Sequence, residues 1–340
     1  MKIIVLDKKN KLAILLILLL GSLVVIFTSP FAGSKLISLN NIFSLEPGSS
    51  DFKIFWVIRI PRVLLAYMVG AILALSGMVF QAVFRNPLVC PFTLGVSSGA
   101  SFGAAIYIAL GFSFTLLGIS GISFFSFLGA VFAIAIVWYL SRMKQGSSVA
   151  KMLLAGIAVS FFFLSIIMFI QFISGVIQSL RISRWLMGGI YAFGYDTLIQ
   201  ASIIAFLGLF IIWYFSHDLN LFTTGEELAI SRGVDVKLTV TILFFLISIM
   251  IGGIVAICGP IGFVGIIAPH ICRLWIGPDH RYLTPATFLF GGLFLALCDT
   301  LARSLLPPTE IPVGVITAIL GGPFFLWLLH AKFSDSSISL

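Results

Sequence analysis

Asp299 and Arg303 are the residues of most chemical consequence in this 340-residue chain. Among its twelve acidic residues, only Asp299 is expected inside a long apolar run. An unpartnered charge at the middle of a bilayer costs about 2.5–3.5 kcal/mol on insertion scales. Arg303 follows at i+4, on the same helix face, where it can neutralise the carboxylate. The spacing favours an ion pair over a proton relay, and so disfavours an ion-coupled carrier, which commonly uses intramembrane carboxylates.

Other reactive side chains are less well arranged for chemistry. His270 and Cys272 point to different faces of a helix, and Asp279-His280 follows Gly277-Pro278 in a loop, so the four do not form a metal site. Asp279 is expected instead to cap the next helix. No HExxH or Ser-His-Asp arrangement points to an enzyme. The chain also lacks a G-x-x-x-x-G-K-[ST] phosphate loop, so any nucleotide energy must come from another subunit. Cys90, Cys258, Cys272 and Cys298 show no CxxC spacing and suggest no disulfide framework.

The elements that carry these residues follow from composition. The chain is 60% hydrophobic and 9% charged, with a mean hydropathy of +1.18, whereas soluble domains are about one quarter charged. Crossing a bilayer takes roughly twenty apolar residues per helix. About ten such runs are predicted, near 12–29, 63–84, 93–110, 118–140, 150–174, 196–215, 237–258, 262–276, 282–305 and 314–331. They are continuously apolar and do not alternate, which favours helices over a barrel. The expected fold is an all-α polytopic bundle in one domain, residues 1–340.

Ten crossings put both termini on one side, and the basic residues say which. Lys35, Lys53, Arg59, Arg62, Arg181, Arg184 and Arg303 fall opposite the termini, while the other thirteen Lys and Arg, Lys2 and Lys144 among them, share the terminal side. The positive-inside bias then makes both termini cytoplasmic. The net charge of +8 needs no nucleic-acid partner. The apolar run from Leu12 to Ile26 is expected to stay as an anchor and not be cleaved as a signal peptide.

Three polar segments interrupt this pattern. Arg59-Ile60-Pro61-Arg62 opens the second run on the outer side, with the proline suited to a first helical turn and the arginines at the positive end of the helix dipole. They could snorkel to lipid phosphates or mark function. Pro87, in Arg85-Asn86-Pro87-Leu88, should break that run at its inner end, and Gly95, Gly99 and Gly103 beyond it should let another helix approach closely. From Thr224, the spacing to Glu227 predicts a capping box and a short helix ending at Gly233. An ordinary capped loop helix and a partner contact both fit this segment.

The ordered clusters Gly259-Pro260-Ile261-Gly262-Phe263-Val264-Gly265, Pro269-His270, Gly277-Pro278-Asp279-His280-Arg281, Glu310-Ile311-Pro312-Val313-Gly314 and Gly321-Gly322-Pro323 closely resemble the permease subunits of ABC importers for ferric siderophores, haem and vitamin B12. The resemblance covers about residues 55–330. It implies a permease paired with a second copy or paralogue, two cytoplasmic ATPases and an extracytoplasmic binding protein, in a bacterial or archaeal cytoplasmic membrane. It implies no cofactor on this chain, with ATP and Mg held by the ATPase.

By the same resemblance, residues 221–235, with Gly225, Glu226, Glu227, Ala229, Arg232 and Gly233, contact the ATPase. Arg59, Arg62 and Arg303 receive carboxylates of the binding protein, and Asn86 and Leu88 are gate residues. Ferric siderophore is the leading expected cargo, ahead of cobalamin and haem.

Overall fold

The computed structural model describes residues 7–33, 50–116, 119–142 and 149–336, and Lys2, Lys35 and Lys144 lie outside them. The described chain is helical apart from loops and one hairpin, β1 (Thr115–Leu116) against β2 (Ile119–Ser120). The longer helices are α1 (Lys8–Thr28), α2 (Ser50–Val83), α3 (Val96–Ala109), α4 (Gly121–Arg142), α5 (Val149–Ile173) and α7 (Asp196–Tyr214). They continue with α10 (Val236–Cys258), α11 (Val264–Ile276), α12 (His280–Ser304) and α13 (Val313–Ser336). Shorter helices are α6 (Val176–Leu186), α8 (Ser216–Thr224) and α9 (Glu226–Ser231).

Among the described residues, seven helices are long and apolar enough to cross a membrane, and three shorter apolar helices occupy 96–109, 264–276 and 313–328. Every predicted run thus has a helix at its place. Two features differ from expectation. The second helix begins at Ser50, runs as a π-helix over Ile54–Arg59 and continues as an α-helix from Ile60. Arg59 and Arg62 therefore sit within a continuous helical segment and not at a free, positively polarised start. The amphipathic α6 and the short α8 lie where a loop was expected, because neither is apolar enough to register as a run.

α2 is the centre of the bundle. Between Pro61 and Val83 only Leu64 and Met68 escape full burial, and 89% of its apolar window is buried, against 22% in α1 and α5. A helix buried on all sides must tolerate close neighbours, and small residues allow this in membrane bundles. A Cβ at Gly70 would collide with the Gly291 backbone of α12, and one at Gly77 with the Gly265 backbone of α11. Gln81 Nε2 donates to the buried carbonyl of Gly265 at 3.0 Å.

The α2–α12 pair is antiparallel, since Arg62 lies against Asp299 while Met78 lies against Thr284. A second backbone contact joins α3 and α4, where Gly99 and Gly103 face Gly129 and Phe125, as the four-residue glycine spacing predicted. Past the middle of α1, Tyr67 of α2 donates to Ser22 Oγ at 3.0 Å, tying α1 to the core.

Valine at position 77 should force apart α2 and α11 and cost about 1–3 kcal/mol, as overpacking does. Alanine at Gly262, where an added Cβ meets nothing within 4 Å, should be near neutral. Thermal unfolding in detergent checks this contrast, and equal losses would contradict the crossing.

Candidate functional site

One end of α12 carries a buried cluster of charges. Arg62 of α2 grips Asp299 with Nε at 3.2 Å from both carboxylate oxygens and Nη2 at 3.0 Å from Oδ1. Its Nη1 donates to Glu310 Oε2 at 2.7 Å. Arg303 Nε stands 3.7 Å from Asp299 Oδ2, and its Nη2 donates to the Ser29 carbonyl at 2.6 Å. Arg59 Nη1 donates to the Pro30 carbonyl at 3.1 Å. Asp299 is 0% exposed, and Arg59, Arg62 and Arg303 are 6%, 8% and 3% exposed.

The partners explain how three guanidinium groups can be buried together. Asp299 and Glu310 meet part of the charge, Asp51 acts on Arg59, and the carbonyls of Ser29 and Pro30 in the 3-10 extension of α1 take further donors, while Arg303 Nε and Nη1 have no hydrogen-bond acceptor among the described residues. Carbonyls at a helix C-terminus lack intrahelical partners and attract cations. The expected Asp299–Arg303 pair forms, but Arg62 is the closer partner of Asp299. Sequence spacing could not reveal it, because the two residues are 237 apart in the chain.

The opposite end of α12 begins at Asp279, whose side chain accepts from the Arg281 amide at 3.1 Å, as the capping expectation required. Burial alone would raise this carboxyl, but hydrogen bonds from Asn220 and the Arg281 amide, with Lys11 and Arg281 nearby, carry it below the ordinary aspartate range. The cap stays ionised at pH values where an exposed aspartate begins to protonate. His270 points elsewhere and packs edge-on against Phe324 of α13 at 5.9 Å.

The segment at 221–235 departs from the predicted capping box. Thr224 is the last residue of α8 and its hydroxyl donates back to the Leu221 carbonyl at 2.7 Å. Gly225, at φ +151 and ψ 147, turns the chain and starts α9 without a side-chain cap. At the other end the expectation holds. Gly233 adopts φ +85, its amide donates to Ile230, and the Val234 amide donates to Ala229 at 3.1 Å, the paired pattern of a glycine-closed helix. Ala229 is buried, while Glu227, Leu228, Ile230 and Arg232 are exposed.

The Asn86-Pro87-Leu88 turn also forms, but the proline does not end the helix. Arg85 does so in a left-handed conformation at φ +48, with the Asn86 amide donating to the Gln81 carbonyl at 3.2 Å. Asn86 Oδ1 then accepts from the Leu88 amide at 3.0 Å, a local side-chain turn of the kind asparagine favours. Asn86 and Leu88 are half-buried.

The fold and its two charged ends define a polytopic, all-α membrane protein with a rigid central helix pair. The profile of the FecCD transport family matches residues 17–331, and the chain belongs to that family. Family members are non-catalytic permease subunits of ABC importers, so this is a multi-pass ABC importer permease. The match begins at residue 17 and so takes in α1, which the motif-based resemblance left outside.

The chain is 38% identical to the hemin transport system permease protein HmuU of Yersinia pestis over 319 residues, 94% of this chain and 93% of that one. It is 39% identical to the cobalamin import system permease protein BtuC of Halobacterium salinarum over 276 residues, 81% and 73% of the two chains. A solved metal-chelate type ABC transporter in an inward-facing conformation superposes with a TM-score of 0.81 at 32% identity, covering 94% of this chain and 99% of that one.

Arg62→Met would leave Asp299 buried with only its longer Arg303 contact, and should cost about 3–5 kcal/mol, as for breaking other buried pairs. Glu310, whose side chain is 40% exposed, should lose only about 0–1 kcal/mol on conversion to Gln. Denaturant or thermal unfolding of the solubilised protein checks the order, and similar costs would contradict the burial.

Proposed function

We propose that this permease moves an iron chelate across a bacterial or archaeal cytoplasmic membrane, powered by ATP hydrolysis on a separate subunit. Ferric siderophore leads as cargo, with haem and cobalamin as alternatives. In this reading ten helices cross the bilayer with both termini cytoplasmic, and the chain pairs with a second permease copy or paralogue, two ATPases and an external binding protein. The chain itself binds no cofactor; ATP and Mg sit on the ATPase. Titrating the cognate binding protein with ferric siderophores, haem and cobalamin tests the cargo.

The observation that carries the reading is α9. A six-residue helix set off by Gly225 and Gly233, exposing Glu227, Leu228, Ile230 and Arg232 while burying Ala229, is built to be gripped by another protein. Residues 221–235, with Glu226 among them, are the proposed ATPase contact, and Asn86 and Leu88 are proposed gate residues beside the pathway. An ion-coupled carrier is less well supported, because buried Asp299 is paired with Arg62 and Arg303. Transport in proteoliposomes without an ATPase, driven by an ion gradient, would overturn the importer reading.

Glu226→Arg combined with Glu227→Arg should reverse the acidity of α9 and uncouple transport. Copurification of the ATPase at wild-type yield, together with wild-type transport, would refute this.

The binding protein is proposed to dock at the Arg59, Arg62 and Arg303 end. These guanidinium groups already have internal partners, so an incoming carboxylate must compete, and Glu310 is the partner that can yield because it is half-exposed. Glu310→Gln should therefore strengthen docking by about twofold to fivefold, corresponding to about 0.4–1 kcal/mol, the upper part of the range for an exposed pair, with a larger effect at low salt. Affinity measured on purified complexes at two ionic strengths checks this; unchanged affinity would remove Arg62 from the docking surface.

A further inference from the structure

α8 is joined to the start of α12 by one side chain that makes three hydrogen bonds. Asn220 Nδ2 donates to Asp279 Oδ1 at 2.9 Å, while its Oδ1 accepts from both the His280 backbone amide and His280 Nδ1 at 2.8 Å. The backbone amide can only donate, which fixes the carboxamide orientation. The amide oxygen can only accept, so His280 Nδ1 carries a proton. His280 is 1% exposed, so this contact is shielded from water. Asn220 thereby extends the capping of α12 into the helix that leads, through Gly225 alone, to α9.

Two weaker straps accompany it. Trp213 Nε1 donates to the Arg281 carbonyl at 3.3 Å, and Lys11 Nζ lies 5.0 Å from the centre of the Tyr282 ring. Neither belongs to the 216–224 helix. From this anchor α12 runs from His280 to Ser304, placing Asp299 and Arg303 about 29 and 35 Å along it at 1.5 Å per residue.

We propose that Asn220 is a positioning residue that carries displacement of the 221–235 segment into α12, and through that helix to the Asp299–Arg303–Arg62 cluster at its far end. This rests on the proposed function in taking 221–235 as the ATPase contact. The clamp makes α12 a rod linking the two proposed docking sites.

The test uses the full complex of permease, ATPase and binding protein in proteoliposomes. Asn220→Asp keeps the acceptor for His280 but sets a carboxylate against Asp279. Because Asp279 Oδ1 accepts from both Asn220 and the Arg281 amide, the rescue must donate and accept at one atom: in the double variant Asn220→Asp with Asp279→Ser, the serine hydroxyl accepts from the Arg281 amide and donates to the new carboxylate, and serine serves equally well as a helix cap. Asn220→Asp should leave the ATPase bound and its basal rate unchanged, while stimulation by the binding protein and substrate moved per ATP fall about five- to tenfold, the lower range of intersite coupling. The double variant should recover most of both.

An unchanged ratio of transport to hydrolysis in Asn220→Asp would overturn the proposal. So would loss of ATPase binding that the double variant fails to restore, since that marks a purely structural strap. Transport by the wild-type chain without its ATPase would instead overturn the importer reading itself.

Discussion

The backbone-to-backbone crossing of α2 and α12 at Gly70 and Gly291 sets the register on which the charged cluster depends. In an antiparallel pair, moving up one helix means moving down the other. About two turns before Gly70 stands Arg62, and about two turns after Gly291 stands Asp299. The ion pair is therefore a consequence of the glycine contact. A larger residue at either glycine would widen the helix separation and lengthen a set of hydrogen bonds that now lie at 3.0 to 3.2 Å.

The cluster also shows how a chain this apolar can hold three buried arginines. Desolvating a guanidinium group is costly unless its donors find acceptors. Here Asp299 serves Arg62 and lies 3.7 Å from Arg303 Nε, and the Ser29 and Pro30 carbonyls just beyond α1 take donors from Arg303 and Arg59, which leaves Arg303 Nε and Nη1 as the unmatched donors of the cluster among the described residues. The end of α1 is thus bound to α2 and α12 by charge, as its middle is bound by the Tyr67–Ser22 hydrogen bond. The result is a stiff three-helix unit with one yielding member, Glu310, at its edge.

The other end of α12 is organised around the single ionised carboxylate of Asp279, met by amide donors and not by a guanidinium cluster. Asp279 caps the helix, Asn220 reads both Asp279 and His280, and α9 projects beyond them between two glycines. Rigid packing inside α12 and a short exposed helix beside its start give the molecule one stiff element joined at both ends to candidate contact surfaces. Such stiffness is what lets a small displacement be carried over a long distance instead of being absorbed.

The sequence by itself determined the solvent and most of the helices, because apolar run length and helix-ending residues act locally. The ten predicted runs each have a helix at their place, Gly233 closes α9, Asp279 caps α12, and Gly99 and Gly103 mark a close crossing. Local spacing also identified the Asp299–Arg303 pair. Tertiary structure alone decided what lies between distant segments: Arg62 on Asp299, Arg59 and Arg303 on the end of α1, and Asn220 on His280. It also overruled local signals where competing contacts were better. Thr224 ended α8 instead of capping α9, and Arg85 closed α2 before Pro87 could. The physical reason is that caps and apolar periodicity involve neighbours within a few turns, whereas a buried charge takes whichever acceptor the packed helices bring within reach.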